Sequence, residues 1–442
     1  MSDLLRIGST ALQAYGTALS TTSHNVANAG TAGYSRQRVD LATQPVSGRI
    51  GNGVQPAQVR RLTDTWLQSR LTDDGAAASR HGVARDLLVR ADGLMSDAQS
   101  GLAPPLTGLN SAVQALMADP SSLSARQSLL SQAQAVTERF AQIDQGLQSL
   151  DQEIDGRLQA GVAEANQWID RIDALNRSIT LAVPGNGGQP PADLLDQRDE
   201  AVRQLASVIG VRTVTQDNGS LGVYLEDGQA LVLDGQARHL SVAPTSAAGR
   251  YTLRLEGTGG SLAVGRPAGG AIAGLLDARA QAVDAPRASM TALATDIADA
   301  FNAAQASGRD LDGNAGADLF AVPPLSLAVQ DPRALALAGA PPAGLADNGA
   351  WSAVAAWSGA PMAARAGEVV GALGQAAYQA DARASAAASL AVQSRDALGA
   401  VAGVNLDEEA ADLLRYQQAY QAAAQMIATA DTVFQTLLNA VR

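Results

Sequence analysis

The last forty residues constrain this chain more than any other stretch. In "GVNLDEEAADLLRYQQAYQAAAQMIATADTVFQTLLNAVR", Leu406, Leu413, Tyr420, Ile427, Phe434 and Val441 recur every seven residues, and Ala410, Ala424 and Leu438 supply a second seam position. Gly403 breaks the preceding pattern, Asn405 is placed as N-cap, and Glu408 stands three residues on as its capping-box partner. Asp407, Glu408 and Glu409 fall in the first turn, where the helix dipole favours negative charge. The opposite end repeats the period. Leu5, Leu12, Leu19 and Val26 are spaced by seven, with Gly8, Tyr15 and Thr22 three residues after the leucines.

Two terminal helices sharing one period predict a coiled coil between the ends. The intervening chain must then leave and return, which makes nested, discontinuous domains. The expected division is a terminal coiled-coil domain of 1–33 with 404–442, a helical rod domain of 34–182 with 270–403, and a helix plus small β domain of 183–269. The fold class is therefore mainly α with a small β domain. Aromatics make up only 3% of the 442 residues, so the core is expected to consist of long, thin, closely packed helices rather than thick aromatic layers.

The first helix is expected to stop near Asn28 to Gly30, where Asn and Gly tolerate the left-handed conformation of a C-cap, with Asn25, Asn28, Gly30 and Gly33 forming the turn out of it. Ser35 to Leu41 then alternates as a short strand, and 43–60 reads as loop and short strand. Helical patterning runs from Leu62 to Met95. Asp119-Pro120 is a predicted helix start, and the apolar positions from Val136 to Ile179 keep a step close to 3.6. Unbroken to Ala182, that helix is roughly 90 Å long, with Gly156 and Gly161 as places to bend. Asp193 to Ile209 and Ala271 to Asn302 read as helices, 211–264 as short strands with Asp-Gly turns, 307–350 as irregular, and Pro361 to Val401 as an Ala-rich helix.

Chemistry is sparse. The chain has no cysteine, which excludes disulfides and thiolate sites. His24, His81 and His239 show no metal-ligand spacing and no HExxH occurs. Asp310–Asp318 hints at an EF-hand loop, but Ala315 and Ala321 stand where Gly and a bidentate Glu are required, so it reads as a polar turn. The glycine-rich stretches 185–191 and 257–265 lack a P-loop basic residue and its strand–loop–helix context, and no GxSxG elbow is present. Asp193, Asp196 and Asp199 read as a solvated or salt-bridged face with Arg198 and Arg203. Catalytic, cofactor and metal residues are therefore expected to be none. A net charge of −12 argues against nucleic acid. All basic residues are arginine, which reads as genomic base composition. No cleavable signal peptide and no apolar run of membrane-spanning length are visible.

The terminal pair is expected to be marginal alone. Its outer faces stay wet, so further copies of the chain are expected to cover them. The assembly interface is assigned to Leu5, Leu12, Leu19, Val26, Leu406, Leu413, Tyr420, Ile427, Phe434 and Val441.

The stretch "SHNVANAGTAGYSRQ" and the C-terminal helix together resemble the flagellar axial proteins, the rod, hook and hook-associated subunits. "DLLDQRDEAVRQL", "AFNAAQASGRDLDGNAGADLF" and "DPSSLSARQSLLSQA" place the resemblance in the hook-associated branch. It implies a structural protein that self-assembles into a helical tube at the junction of hook and filament, with the paired ends innermost and β domains outermost. Implied partners are the hook protein, the second hook–filament junction protein, an export chaperone and the flagellar type III export apparatus. The implied location is extracellular, reached without a cleavable signal. Larger members carry a further β domain after the segment matching Phe320, for which Ala321 to Ala360 offers little room. The alternatives are a sister axial subunit (the second junction protein or a flagellin), against which "DLLDQRD" argues, and a secreted adhesin or enzyme with its activity in 211–264.

Overall fold

The computed structural model describes residues 2–43, 53–97, 101–186, 188–244, 250–257, 260–339, 344 and 346–441. Parts of the expected loops at 43–60 and 307–350, parts of both glycine-rich stretches, and the side chains of Leu438 and Val441 lie outside the described residues. The chain begins with α1 (Ser2–Ala27), the hairpin β1 (Gln37–Thr43) and β2 (Val54–Arg61), α2 (Thr65–Ser96), α3 (Ala103–Ala118) and α4 (Leu123–Ala182). Next come α5 (Ala192–Val208) and seven strands, β3 (Val211–Thr215), β4 (Leu221–Leu225), β5 (Ala230–Leu233), β6 (Gln236–Ala237), β7 (Leu240–Pro244), β8 (Tyr251–Gly257) and β9 (Gly260–Ala263). The return path is α6 (Gly270–Ala278), α7 (Ala285–Ser307), the two-residue strands β10 (Phe320–Ala321) and β11 (Ser326–Leu327), α8 (Ser352–Trp357), α9 (Ala360–Ala402) and α10 (Leu406–Val441).

α4 is the spine. Its 60 residues bury the stripe that the sequence marks, from Leu129 and Val136 through Phe140, Ile143, Leu147, Ile154, Leu158, Ile169 and Ile172 to Ile179. It runs unbroken through both glycines: Gly156 faces open space, and Gly161 lets Ile272 and Val208 approach. Its start is corrected from Asp119-Pro120 to Leu123, because Ser122 caps it by accepting the Ala125 N–H. Asp119 and Pro120 instead close α3, a helix whose apolar row Leu106, Leu109, Val113, Leu116 packs on α4. The buried Arg126 locks this corner, donating to the carbonyls of Pro120 (2.7 Å) and Leu335 (2.5 Å).

α2 is sandwiched between α9 on one side and α5 and α6 on the other. Contact with α9 runs along Leu373, Ala377, Ala380, Ala384, Ala387 and Ala391. Gly274 lies so close to α2 that a Cβ there would collide with the Arg80 carbonyl oxygen. The expected single helix at 271–302 is in fact α6 and α7 joined by a π-helical turn, Arg279–Asp284. Pro286 has no N–H to continue the α-helical ladder, and the wider turn leaves the buried Arg279 paired with Asp151 (2.8 Å) and Asp155.

Strands β3–β4–β5–β6 form one antiparallel sheet and β7–β8–β9 another, both beside the C-terminal half of α4. In the irregular return, Asp310 accepts the N–H groups of Asp312 (2.9 Å) and Asn314 (2.8 Å), a polar turn closed on its own backbone. Among the described residues, no group of three acidic, His or Cys side chains could hold a metal ion, and no helix is long and apolar enough to cross a membrane.

The far end of the rod is held by aromatics. Trp351 is fully buried, donates from Nε1 to the Ala336 carbonyl at 2.8 Å, and meets Phe301 edge-on, which meets Phe320 edge-on. Trp351→Ala should lower the unfolding free energy by about 3–5 kcal/mol, read as a lowered urea midpoint. An unfolding free energy within about 0.5 kcal/mol of the parent protein's would show that the cluster does not hold this end.

Candidate functional site

α1 and α10 lie antiparallel. A Cβ on Gly8 would meet Ile427 at 2.6 Å, the nearest atom to one on Gly16 is in the Tyr420 ring at 3.8 Å, and Asn25 donates to Glu409 at 2.9 Å. The seam itself differs from the predicted one. Its buried positions on α1 are Gly8, Ala11, Ala14, Ala18, Thr21, Thr22 and Asn25, and on α10 Glu409, Ala423 and Ala430. Leu5, Leu12 and Leu19 flank this line half-buried, as do Leu413 and Ile427, while Val26, Leu406, Tyr420 and Phe434 are exposed. The register is shifted by one residue because small side chains let the two helices approach closely. The leucines, too large for that gap, are turned to its edges. The two helices lie together within one chain, and their large apolar side chains remain at the edges of the seam or outside it.

At the root of the pair the chain turns through Asn28 to Gly33. Asn28 caps α1 with both its backbone N–H and its side-chain Nδ2 on the His24 carbonyl, at 3.1 and 3.0 Å. The positive φ expected near Asn28 to Gly30 falls instead at Gly33, at φ 79°, where a Cβ would sit 3.0 Å from Arg203 and 3.1 Å from Glu200. Gly30 faces open space.

Asn25 is 1% exposed and fully used. Its Nδ2 donates to the Gln37 carbonyl (2.8 Å) and to Glu409 Oε2 (2.9 Å), and its Oδ1 accepts the Gln37 N–H (2.9 Å) and the Tyr34 hydroxyl (2.7 Å). Burial, and then the carboxylates of Asp193, Asp196 and Glu409, raise the Tyr34 phenol's pKa and keep it a donor. Arg36 closes the cluster from outside, with Nε on Glu409 at 2.6 Å and Nη1 on Glu408 at 2.5 Å. Asn405 caps α10 by accepting the Asp407 N–H at 3.0 Å. The capping-box role of Glu408 is corrected: its carboxylate goes to the Arg36 guanidinium, a charged partner that binds it more strongly than a neutral backbone N–H. The Arg36 backbone is held as well, its N–H by the Ala402 carbonyl (2.8 Å) and its carbonyl by the Leu62 N–H (2.7 Å).

α5 supplies the floor. Asp193 accepts from Gln37 Nε2 (2.7 Å) and lies 3.3 Å from His24. Asp196 accepts the Ser35 N–H (2.9 Å) and Arg61 Nη1 (2.8 Å), and Asp199 pairs with Arg61 at 2.7 Å. Asp196 and Asp199 are thus salt-bridged, but to Arg61 rather than to Arg198 and Arg203. Arg198 is buried on the other side, on Asn176 and the Gly219 carbonyl, and Arg203 pairs with Glu200. Sequence reasoning missed Arg36, Arg61, Tyr34, Gln37 and Glu409. The available signal was Asn25 itself, an amide on the inner face of a stripe of small residues.

The comparisons agree on one family. The family description "Flagellar hook-associated protein FlgK helical domain" matches residues 88–320, and "Flagellar basal body rod FlgEFG protein C-terminal" matches residues 399–440. Flagellar hook-associated protein 1 of Salmonella typhimurium (strain LT2) is 32% identical over 330 residues, 73% of this chain and 60% of the relative. That of Bacillus subtilis (strain 168) is 28% identical over 230 residues, 49% of this chain and 45% of the relative. The chain therefore spans less than two thirds of the curated relatives it matches. The solved structure of the flagellar hook junction protein FlgK from Burkholderia pseudomallei is similar at 30% identity and a TM-score of 0.53, over 57% of this chain and 46% of that one.

Two outcomes follow from the root of the pair. Asn25→Ala strands several buried groups, at a cost of about 1–3 kcal/mol each, so amides of α1 between Leu19 and Ala27 should exchange faster while those of α4 do not change; equal exchange would refute the role. Burial pushes the Asp196 carboxyl's pKa up, against the pull of the Ser35 N–H and Arg61. Its contribution to stability is therefore complete below the unfolded value of about 4 and is lost as pH rises through the folded value. The stability of Asp196→Asn relative to the parent protein should rise as pH increases above about 4; urea midpoints differing by a constant amount from acid to neutral pH would contradict this.

Proposed function

The chain belongs to the FlgK family of flagellar hook-associated proteins, and on that premise we propose that it is a non-enzymatic structural subunit of the bacterial flagellum that polymerises at the hook tip and joins hook to filament. The observation that carries this reading is the outer face of the terminal pair. Its seam is already filled by alanines, yet Leu406, Leu414, Tyr420, Met426, Val433 and Phe434 of α10 and Leu4 and Val26 of α1 remain exposed. Singly placed apolar residues need no explanation, but six large ones left exposed around one helix mark a surface that other chains cover. The half-buried leucines at the edges of the seam add to this apolar surface, and the assigned assembly residues, Leu5, Leu12, Leu19, Val26, Leu406, Leu413, Tyr420, Ile427, Phe434 and Val441, are proposed as contacts between subunits.

In this reading the paired ends (1–33 and 404–442) line the tube, the helical rod (34–182 and 270–403) surrounds them, and the β strands within 183–269 face outward. The proposed partners are further copies of this chain, the hook protein, the second junction protein, and the chaperone and type III apparatus that export the chain to the cell exterior.

Deleting the gene should leave hooks without filaments, with flagellin shed into the medium, as seen by electron microscopy and immunoblotting; a deletion strain with normal filaments overturns the proposal. Phe434→Asp or Leu406→Asp should leave the circular dichroism of the purified protein unchanged and its unfolding free energy within about 0.5 kcal/mol of the parent's, and fail to restore filaments to the deletion strain. Filaments on cells carrying either variant would remove that residue from the interface.

A further inference from the structure

Four asparagines among the described residues repeat one geometry. Each sits on a helix and grips both the N–H and the carbonyl of the first residue of a strand. Asn25 of α1 holds Gln37 of β1, donating to its carbonyl at 2.8 Å and accepting its N–H at 2.9 Å. Asn176 of α4 holds Leu221 of β4 at 2.9 and 3.0 Å. Asn166 of α4 holds Leu240 of β7 at 2.9 and 2.8 Å. Asn302 of α7 holds Phe320 of β10 at 2.8 and 3.0 Å.

A carboxamide carries one acceptor oxygen and donor hydrogens in the same plane as a peptide group. On a helix facing a strand it stands in for one rung of an antiparallel ladder. It pairs the two backbone groups of the residue where the strand begins, groups that are costly to leave unsatisfied. Because both groups must come from the same residue, the grip also fixes which residue starts the strand.

Asn25 differs from the other three in one respect. Its second amide hydrogen goes to Glu409, 384 positions away on α10, and this carboxylate is buried and also held by Arg36. The other three grips draw on nothing from α10. We infer that the Asn25 grip couples the two ends of the chain: docking of α10 completes the grip that closes the turn between α1 and β1, and withdrawal of α10 loosens it. Without Glu409 the amide has a buried donor with no acceptor, and Arg36 loses its inner partner. The energy that orders the Gln37 backbone is then partly lost, while Leu221, Leu240 and Phe320 stay gripped. Linkage makes the effect mutual, so anything that opens the turn weakens the hold on α10. A protein that grasps α10 as a free helix therefore also releases the neck, 28–37.

Amide hydrogen exchange on the full-length protein tests this, with the Leu221, Leu240 and Phe320 amides as internal controls. In Glu409→Ala the Gln37 amide should exchange at least tenfold faster, with the three control amides within twofold of the parent protein. Glu409→Gln, which keeps an oxygen for the Asn25 amide but loses the charge, should recover part of that protection. Unchanged Gln37 exchange in Glu409→Ala overturns the coupling. Equal acceleration at all four amides also overturns it, because the loss is then global. If Glu409→Gln exchanges as fast as Glu409→Ala, the coupling runs through the Arg36 ion pair and the role given to Asn25 is wrong.

Discussion

The joining of the terminal pair to the rod depends on the crossing at Arg36. A chain whose first and last helices pair must bring distant segments to one point, and here the point is a single residue. Its N–H meets the end of α9, its carbonyl meets the start of the path into α2, and its guanidinium meets the first turn of α10. The buried amide of Asn25 lies directly beneath. Backbone bonds alone would leave the orientation of the pair loose, since a seam of alanine and glycine offers little shape by which to choose a register. The polar layer at Asn25 and Glu409 supplies that choice: sliding either helix by a turn would bury an amide and a carboxylate without partners, a cost of several kcal/mol. A single asparagine at a seam position serves the same end in two-stranded coiled coils.

Much of this was legible in the sequence where a stripe of large side chains faces a core. The stripe of α4 from Val136 to Ile179 could be read residue by residue because each of its apolar side chains packs inward, and the strands of 211–264 were marked by turn chemistry. The terminal seam was misread by one position because periodicity weighs leucine above alanine. Leu5, Leu12 and Leu19 carry the stronger hydrophobic signal, yet Ala11, Ala14 and Ala18 occupy the contact, because closeness of approach rather than side-chain bulk decides which face turns in. α3 was not read from the sequence at all, although Leu106, Leu109, Val113 and Leu116 mark one face of it.

The neck was less legible for a different reason. Asn25, Asn28 and Gly33 belong to it, but their partners Glu409, Asp193, Asp196 and Arg61 come from elements far apart in the chain. No local pattern announces that Asp196 will accept the Ser35 N–H or that Glu408 will abandon its cap for Arg36. Polar side chains on a helix are read as solvated unless something shows that they are enclosed, and the enclosure is created by the fold itself. The three asparagines Asn166, Asn176 and Asn302 share this property: each interrupts a helix face at a place where the neighbouring strand gives the amide its backbone partners.

The wide turn at Arg279–Asp284 has a consequence for how the two sides of the rod stay aligned. A π-helical turn takes up one residue more than an α-helical turn, so everything after it is rotated by about 100° relative to a continuous helix. α6 and α7 are therefore offset in phase, and the offset is what aims Phe301 at Trp351 while Ile272 still faces α4. The extra residue works like a compensating joint in a long beam. Loss of one residue between Arg279 and Asp284 would swing the distal aromatics out of line while leaving every residue type in the rod unchanged.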